Sequence, residues 1–309
     1  EKLMFLDEKY LSAFEKLEID SRIRVQEPFP ALRRVVREYP VSDEAREEEC
    51  GYLSYNMTAG DCLDRELYVA FQILDYALCS APGAPLKQVL LDHSMGKDVY
   101  SEYDNGIQQP FFSIMASDTD VSKEQEFVEL VNREMGRIVK EGFDRKALLA
   151  GINHFEFRYR EADFGSYPKG LMYGLQMLDS WLYADDKPFI HVEANDIYAG
   201  LREKAGEGYF EGLVQTYLID NPHKSVVVLK PKKGMAQEQE EALRAKLAKR
   251  KAGMSPEQLA EIVDGQQALK AYQEQEDKQE DLARIPMLAR EDIGREARKL
   301  MNEETRAGD

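Results

Sequence analysis

The four histidines are the residues whose spacing would most readily reveal a catalytic metal. A catalytic zinc site usually takes two histidines from one helical turn, as in H-E-x-x-H or its inversion H-x-x-E-H. The histidines here are His93, His154, His191 and His223, and no two of them lie within 30 residues of each other. Neither motif can therefore be written anywhere in the chain. We predict that this chain contributes no catalytic residue, no metal ligand and no bound cofactor.

Other short motifs give no firmer indication of an enzyme. His154-Phe155-Glu156 matches the H-x-E start of the nucleobase deaminases, but that signature also requires P-C-x-x-C downstream. The last cysteine is Cys79, so we interpret the match as a coincidence on a helix. Phosphate-binding glycine motifs and the G-x-S-x-G elbow do not occur in the sequence. A Ser-His-Asp or Cys-His site assembled from distant residues stays open, because such sites are recognised by geometry.

Aromatic and basic residues alternate on the segment that follows His154, and a second aromatic pair lies further along the chain. Such mixing can indicate stacking on nucleic-acid bases. At helical spacing it more simply predicts an apolar face packed in the core, with arginines that reach solvent or pair with carboxylates. We therefore predict core packing for both groups. The residues concerned are Phe155, Phe157, Arg158, Tyr159, Arg160, Glu161, Trp181 and Tyr183.

Charge and composition argue against two classes of partner. The formal net charge of the 309 residues is −17, which disfavours nucleic acid, because phosphate binding needs clustered Lys and Arg. No apolar run approaches the roughly 20 residues that span a bilayer, so we predict no membrane partner. The three cysteines, Cys50, Cys62 and Cys79, lack the spacing of metal or redox motifs. We expect free buried thiols in a reducing compartment, the bacterial cytoplasm.

Residues 51–231 have the element order of an α+β domain. The alternating stretch GYLSYNM at 51–57 predicts a strand, and Asn105-Gly106 predicts the turn of a hairpin. Ser122 and Asp144 are predicted to cap two of the helices. The other predicted strands are 98–103, 108–116 and 226–229, and the predicted helices are 61–80, 86–91, 122–141, 144–162, 169–182 and 194–218. We predict an antiparallel sheet packed with helices.

The segment before this unit has a different composition. Residues 1–50 contain a helical pattern over 8–17, followed by an extended stretch around Pro28 and Pro30. This composition is typical of a linker that lies on another domain. We predict that residues 1–50 lead in from a preceding domain.

The segment after the unit is rich in charged residues. Ser255-Pro256-Glu257 followed by Gln258 combines an N-cap, a proline at the first helical position and a capping box. A charged helix precedes it, so we predict a helical hairpin that links domains over residues 232–284. Residues 285–309 are predicted to start a following domain.

Six segments, in this order along the chain, carry a family resemblance. They are FLDEKYLSAFEKLEIDS (5–21), YLSYNM (52–57), APGAPLKQVLLD (81–92), QQPFFSIMASD (108–118), KSVVVLKPKKG (224–234) and IPMLAREDI (285–293). Together they resemble the presequence-protease branch of the insulinase and pitrilysin zinc metallopeptidases. The resemblance extends over nearly the whole chain, and the shared order makes it more specific than any single motif.

The resemblance implies a non-catalytic role within a larger enzyme. In that family, two halves enclose a chamber that takes in unfolded peptides, and each half holds two related α/β roll domains. The first domain carries H-x-x-E-H and a further Glu, and the metal-bound water attacks the peptide bond. This chain resembles the second domain of the first half, followed by the hairpin that joins the halves. The metal helix is then expected upstream of Glu1, and the assisting Arg and Tyr beyond Asp309.

The resemblance also implies the partners, although it assigns no substrate-binding residue. Zinc is expected in the parent protein, and the expected partners are the remaining domains of the same polypeptide and unfolded peptides. The small residues Ser80, Ala81, Gly83 and Ala84, followed by Leu86, match the small-residue turn of the non-catalytic repeat. An alternative function is a stand-alone binding or assembly module, similar to the inactive subunits that accompany such peptidases.

Overall fold

A mixed five-stranded sheet organises the first of two units into which the chain divides. The computed structural model describes residues 2–15, 17–162, 164–294 and 296, and the units are residues 1–239 and 240–309. The strands are β1 (Arg33–Val41), β2 (Gly51–Thr58), β3 (Asp98–Asp104), β4 (Phe111–Thr119) and β5 (Lys224–Lys233). Their order across the sheet is β1-β5-β2-β4-β3.

Helices fill the long connection between β4 and β5 and the shorter one between β2 and β3. The first unit contains α1 (Lys2–Lys9), α2 (Arg65–Asp75), α3 (Pro85–Asp92), α4 (Glu124–Glu141), α5 (Arg145–Glu161), α6 (Lys169–Trp181), α7 (Asn195–Lys204) and α8 (Tyr209–Leu213). Wider turns with i to i+5 hydrogen bonds extend α2 over Tyr76–Ser80 and α8 over Val214–Ile219. The α+β class predicted from the sequence is confirmed.

The helices cover one face of the sheet. Residues of β2 alternate strictly between buried and half-buried, because successive side chains of a strand point to opposite faces. Leu53, Tyr55 and Met57 are at most 3% exposed and pack in the core with the helices. Phe71 of α2 and Phe127 of α4 are fully buried in the same core. Among the described residues, no helix of this core lies on the other face of the sheet, which we call the open face.

The sequence predicted an antiparallel sheet, and this prediction is wrong for one pair of strands. β1 and β5 run parallel, with Val36 opposite Val228, whereas all other neighbouring strands are antiparallel. No strand was predicted at 33–41, although four of the nine residues are Val or Tyr, which favour extended structure. It is an edge strand, where Pro40 and charged side chains are tolerated. Arg34 also forms a two-pronged ion pair with Glu124 at the start of α4, with a shortest distance of 2.7 Å.

The hairpin predicted at Asn105-Gly106 is confirmed, but its second strand begins later than predicted. β4 starts at Phe111 rather than at Gln108, since Asp104 pairs with Phe111 across a six-residue loop. Pro110 lacks the N–H that a central strand residue must donate, and its carbonyl oxygen accepts a bond from Ala59 instead, at 2.7 Å.

Two helix boundaries depend on caps. Asp144 accepts a hydrogen bond from the N–H of Lys146 at 2.8 Å and begins α5, as predicted. The prediction that Ser122 caps α4 is wrong. The carboxylate of Asp120 accepts from the N–H of Ser122 at 2.8 Å, and a short 3-10 turn then leads into α4. A carboxylate is the stronger acceptor for an exposed backbone N–H.

Two predicted helices are wrong in extent. The helix predicted over 194–218 is interrupted between α7 and α8, where Gly208 has a φ of +78° that favours glycine. The helix predicted over 8–17 ends at Lys9 in α1. Phe14 and Leu17 are 78% and 73% exposed, so the tertiary packing that stabilises most protein helices is not available to them.

The second unit consists of charged helices. α9 (Met235–Ala252) begins in the first unit, and α10 (Pro256–Glu274) and α11 (Gln279–Leu282) follow. The predicted capping box at Ser255 and Gln258 is confirmed in both directions, at 2.9 and 3.3 Å. None of these three helices, which the structure describes in full, has a buried residue. The pairing of α9 with α10 as a hairpin and the predicted domain boundaries stay predictions, and residues 295 and 297–309 lie outside the described part of the chain.

No helix in the described part of the chain is long and apolar enough to cross a membrane.

The loop between α6 and α7 contains a buried histidine. His191 is 3% exposed and stacks on the ring of Tyr68, with ring centroids 3.7 Å apart. Among the described residues, neither of its ring nitrogens has a well-aligned hydrogen-bond partner. Burial lowers the pKa of His191 from 6.5 to about 4, an effect that the backbone of Cys62 opposes and the charge of Arg65 reinforces. The imidazole is therefore neutral in the folded protein at neutral pH.

The core side chain Leu53 should contribute strongly to stability. Leu53→Ala removes buried methyl groups from β2, and we expect the free energy of unfolding to fall by about 2–5 kcal/mol. Leu229, on the neighbouring strand β5, is 36% exposed and offers a matched control. Leu229→Ala should cost less than about 1 kcal/mol. Urea unfolding of both variants measures the difference, and equal losses would contradict the assignment of the core face.

The neutral His191 should make stability depend on pH. The unfolded chain binds a proton at this histidine below pH 6.5, whereas the folded chain does so only near pH 4. Stability is thus complete above pH 6.5 and is lost as the pH falls toward 4, by up to about 3 kcal/mol. His191→Phe keeps the stacked ring without the charge and should remove this part of the slope in urea unfolding between pH 7 and 4. Replacing the exposed His93 by Gln is the control, and an unchanged slope in His191→Phe would sink the idea.

Candidate functional site

The structure places the histidines apart, each in its own setting. His93 is exposed at the end of α3. His154 of α5 stacks on Tyr76, with ring centroids 5.3 Å apart. His223, just before β5, packs edge to face against Phe29, with ring centroids 4.4 Å apart. The fourth is the buried histidine of the α6–α7 loop, so no two of them share a site.

This arrangement does not fit a zinc ion. Zinc needs three or four ligand atoms that converge at about 2.0–2.3 Å. Within residues 2–15, 17–162, 164–294 and 296, no three side chains of His, Cys, Asp or Glu converge in that way. We therefore derive no chemical step through a metal on this chain. The expectation that the chain itself holds no zinc remains a prediction for metal analysis.

The H-x-E match has a structural role. Glu156 is 16% exposed and forms ion pairs with Arg160, at 2.6 Å, and with Arg202 of α7. Arg202 also donates to the side-chain oxygen of Asn153 at 2.6 Å. The carboxylate of Glu156 therefore ties α5 to α7, which supports the interpretation of the match as a coincidence.

Core packing is confirmed for some of the aromatic residues and wrong for others. Phe155 and Tyr159 pack against the core, and the hydroxyl of Tyr159 donates to the carbonyl oxygen of Val192. Phe157 and Trp181, by contrast, are 64% and 47% exposed. Sequence spacing places these rings on helices but cannot tell how wide a stripe of each helix the core covers.

The open face carries rows of side chains that run across the sheet. One row is polar in the middle and charged at its ends. It contains Arg33, Ser225, Asn56, Ser113 and Glu102, each on a different strand. The next row is more apolar and contains Val35, Val227, Ser54, Met115 and Tyr100. The open face is thus polar but uncharged near its centre.

Asn56 is the centre of the polar row. Its side-chain oxygen accepts hydrogen bonds from the hydroxyl groups of Ser54 and Ser113, at 2.7 and 2.6 Å. Its amide nitrogen lies 3.4 Å from both oxygens of Ser225. The network joins three adjacent strands and satisfies polar groups that would otherwise be costly to bury.

An extended segment of the lead-in lies against one end of the open face. Gln109 bonds to the backbone of Gln26 twice, accepting from its N–H at 2.7 Å and donating to its carbonyl oxygen at 3.0 Å. These two hydrogen bonds bind the main chain of an extended segment and do not depend on its side chains. A cavity of about 560 Å³ separates residues 23–29 from the sheet.

Lys224 lies at the rim of this cavity, but it is opposite Met57 and turns its ammonium group to the helix side of the sheet. Lys224 donates to the carbonyl oxygen of Ile219 at 2.7 Å and lies 5.9 Å from the ring centroid of Tyr55. Burial lowers the pKa of Lys224, and the charge of Asp220 partly offsets this. The remaining lining groups include amides, hydroxyls and apolar side chains such as Phe111. This surface can bind extended backbone by hydrogen bonds and apolar contact.

None of these groups was predicted from the sequence as part of a site. The period-two alternation of β2 did contain a signal, because it places Asn56 on the face opposite Leu53. The bonds between Gln26 and Gln109 had no local signal, since 83 positions separate the two residues.

Two family models match the chain. The description "Peptidase M16 inactive domain" matches residues 1–154, and a model for the region associated with subfamily C of the M16 peptidases matches residues 229–309. The first range includes β1 to β4 and most of α5, and the second begins within β5 and includes the charged helices. The two ranges together cover most of the chain.

Curated relatives are similar over almost the whole chain. Protein HypA of Clostridium perfringens is 38% identical over 98% of this chain, which corresponds to 31% of its own length. Presequence protease 1 of Arabidopsis thaliana is 29% identical, with 93% of this chain and 27% of the relative covered. The chain therefore spans less than a third of the length of these relatives.

Solved structures support the fold. The ferredoxin protease FusC, solved in complex with Arabidopsis ferredoxin, superposes with a TM-score of 0.51 at 12% identity. The match covers 75% of this chain and 24% of that one. The presequence-protease resemblance seen in the sequence agrees with the family models and the relatives. The chain belongs to the M16 peptidases, the insulinase and pitrilysin family of metallopeptidases, and it carries the inactive domain of that family.

Proposed function

We propose that this chain is a non-catalytic wall domain of a zinc endopeptidase that degrades unfolded peptides. The domain helps to enclose a peptide chamber, and the zinc is held by another domain of the parent protein. The partners are the remaining domains of that polypeptide and the peptide substrates. The relatives that are presequence proteases support this proposal, as does their greater length.

The open face is the observation that carries the proposal. A sheet covered by helices on one side only leaves its other side available for contact. The centre of this face presents neutral hydrogen-bonding groups around Asn56, which suits an extended peptide of varied sequence. The bonds of Gln109 to an extended backbone show that such a segment can lie at this end of the sheet. A wall of this kind positions peptide and leaves the chemistry to the metal domain.

The charged helices support a linking role. α9 and α10, both described in full, carry no buried residue, and the second family model includes them. We propose that residues 232–284 form a helical hairpin that joins two halves of the parent protein. A bacterial cytoplasmic location is part of the proposal, and the free thiols of Cys62 and Cys79, both buried, are compatible with it.

The 309-residue chain by itself should bind no stoichiometric zinc and cleave no peptide. Its histidines are too far apart to share an ion, whereas a structural or catalytic zinc site needs at least three converging ligands. Metal analysis of the purified chain after dialysis against zinc, together with a peptide-cleavage assay, measures both points. One tightly held equivalent of zinc, or cleavage by the chain alone, would overturn the proposal.

The open face of the parent protein should respond to charge. Tyr100 lies on this face and is 41% exposed. Tyr100→Lys should lower kcat/KM for a basic unfolded peptide about 3- to 10-fold through KM, because like charges repel in both the bound and transition states. Tyr100→Glu should not lower it.

The matched control is Glu203→Lys, which changes the charge of an exposed residue on α7, away from the open face. Its cleavage kinetics should equal those of the unchanged parent protein. The proposal that the open face contacts peptide fails if Tyr100→Lys and Glu203→Lys have the same effect.

A further inference from the structure

Helix α6 carries its apolar stripe on the outside. Leu171, Leu175, Leu178 and Leu182 follow the spacing of one helical face, and they are 52%, 50%, 38% and 65% exposed. Trp181 beside them is 47% exposed. In most surface helices such a stripe faces the core, whereas here the half-buried inner side is formed by other residues, among them Tyr173 and Met177.

Polar groups hold the opposite side of α6 to the unit. Gln176 donates to the carbonyl oxygen of His191 at 3.1 Å, and the carboxylate of Asp179 accepts from the hydroxyl of Tyr68 at 2.8 Å. The hydroxyl of Ser180, the one buried residue of α6, donates to the carbonyl oxygen of Lys187 at 2.7 Å. Because these bonds fix the rotation of the helix, the leucines cannot turn inward without breaking them.

The stripe is shaped for another helix. Gly170 and Gly174 lie beside Leu171 and Leu175, and a side-chain carbon added at either glycine would meet no atom within 4 Å. Glycines four residues apart allow the backbone of a second helix to approach closely. The stripe from Gly170 to Leu182 carries no charged side chain on its outer side, since Asp179 is bound on the inner side.

We propose that the α6 stripe is a docking surface for an apolar helical segment of the same parent polypeptide, one that lies outside residues 1–309. This inference rests on the proposed function and deepens it by naming a surface that a neighbouring part of the enzyme covers. This chain corresponds to only 31% and 27% of the lengths of two relatives. A parent polypeptide of similar length would contain further segments that could cover the stripe.

The size and charge of the stripe argue against a second copy of this chain. An apolar patch of this kind measures on the order of a few hundred Å², below the roughly 800 Å² per partner of a stable interface. Each copy also carries a net charge of −17, which disfavours self-association. A segment of the same polypeptide binds at a high effective concentration and needs less area.

A membrane surface fits less well. An interfacial helix usually bears several Lys or Arg residues on its polar face. Lys169 is the only basic residue of α6, and the polar side is already bound to the unit.

Hydroxyl-radical footprinting with mass spectrometry tests the proposal. The rates of oxidation of Leu175 and Leu178 are compared in the 309-residue chain and in the parent polypeptide. We expect them to be at least about fivefold lower in the parent, because half-exposed side chains become buried there. The buried Leu74 of α2 should react slowly in both samples, which confirms that both are folded.

Each other outcome overturns the assignment. Equal, fast oxidation in the two samples would show that nothing in the parent covers the stripe. Protection that appears in the 309-residue chain as its concentration rises would identify a second copy, and protection at every concentration would show that the rest of the parent is not needed. Protection in the parent only after addition of a peptide substrate would identify substrate as the occupant.

A pair of variants gives an independent reading. Leu175→Glu with Leu178→Glu should change the thermal unfolding of the 309-residue chain much less than that of the parent polypeptide, since the two side chains are 50% and 38% exposed there. The same change should lower the Tm of the parent polypeptide by several degrees, whereas Leu175→Met should not. Neither readout requires peptidase activity, so a failed wall function and an uncovered α6 stripe are distinguishable. The proposal would be overturned if the double substitution left the Tm of the parent polypeptide unchanged.

Discussion

The alternation along β2 places Leu53, Tyr55 and Met57 against the helices and leaves the intervening residues on the open face. Burial of these three side chains fixes the register, because a slip of one residue would expose all of them. The same register aligns Asn56 with Ser113 and Ser225 on the neighbouring strands. The hydrophobic constraint on one face therefore creates the polar network on the other.

The sheet also depends on a pairing between two strands that are far apart in the sequence. β5 lies between β1 and β2, and its partners in β1 are almost 200 positions away in sequence, as in the pair Val36 and Val228. A parallel pair requires a long crossover, and here that crossover contains every helix of the core. The lead-in and the end of the unit are thus joined in one sheet. The ion pair of Arg34 with Glu124 adds a tie between the edge strand and α4.

The open face and the α6 stripe are both uncovered surfaces, but they arise for different reasons. The open face is a sheet surface that helices leave uncovered, and its groups suit extended backbone of varied sequence. The α6 stripe is a helix surface held outward by polar bonds at Gln176, Asp179 and Ser180. The open face suits a ligand that binds transiently. The α6 stripe suits a permanent neighbour, since exposed apolar side chains are costly to leave in water. Both are consistent with the proposed role as one domain of a larger enzyme.

Local sequence determined the elements with strong local signals and the family. The alternation of β2, the cap at Asp144 and the capping box at Ser255 all appear as predicted, because each depends on neighbours within a few residues. The histidine spacing likewise allowed a prediction about zinc without any structure. Only the tertiary structure decided that 33–41 is a strand and that the leucines of α6 face outward. Both depend on partners far away in sequence, and periodicity shows that a helix has an apolar side without showing which way that side turns.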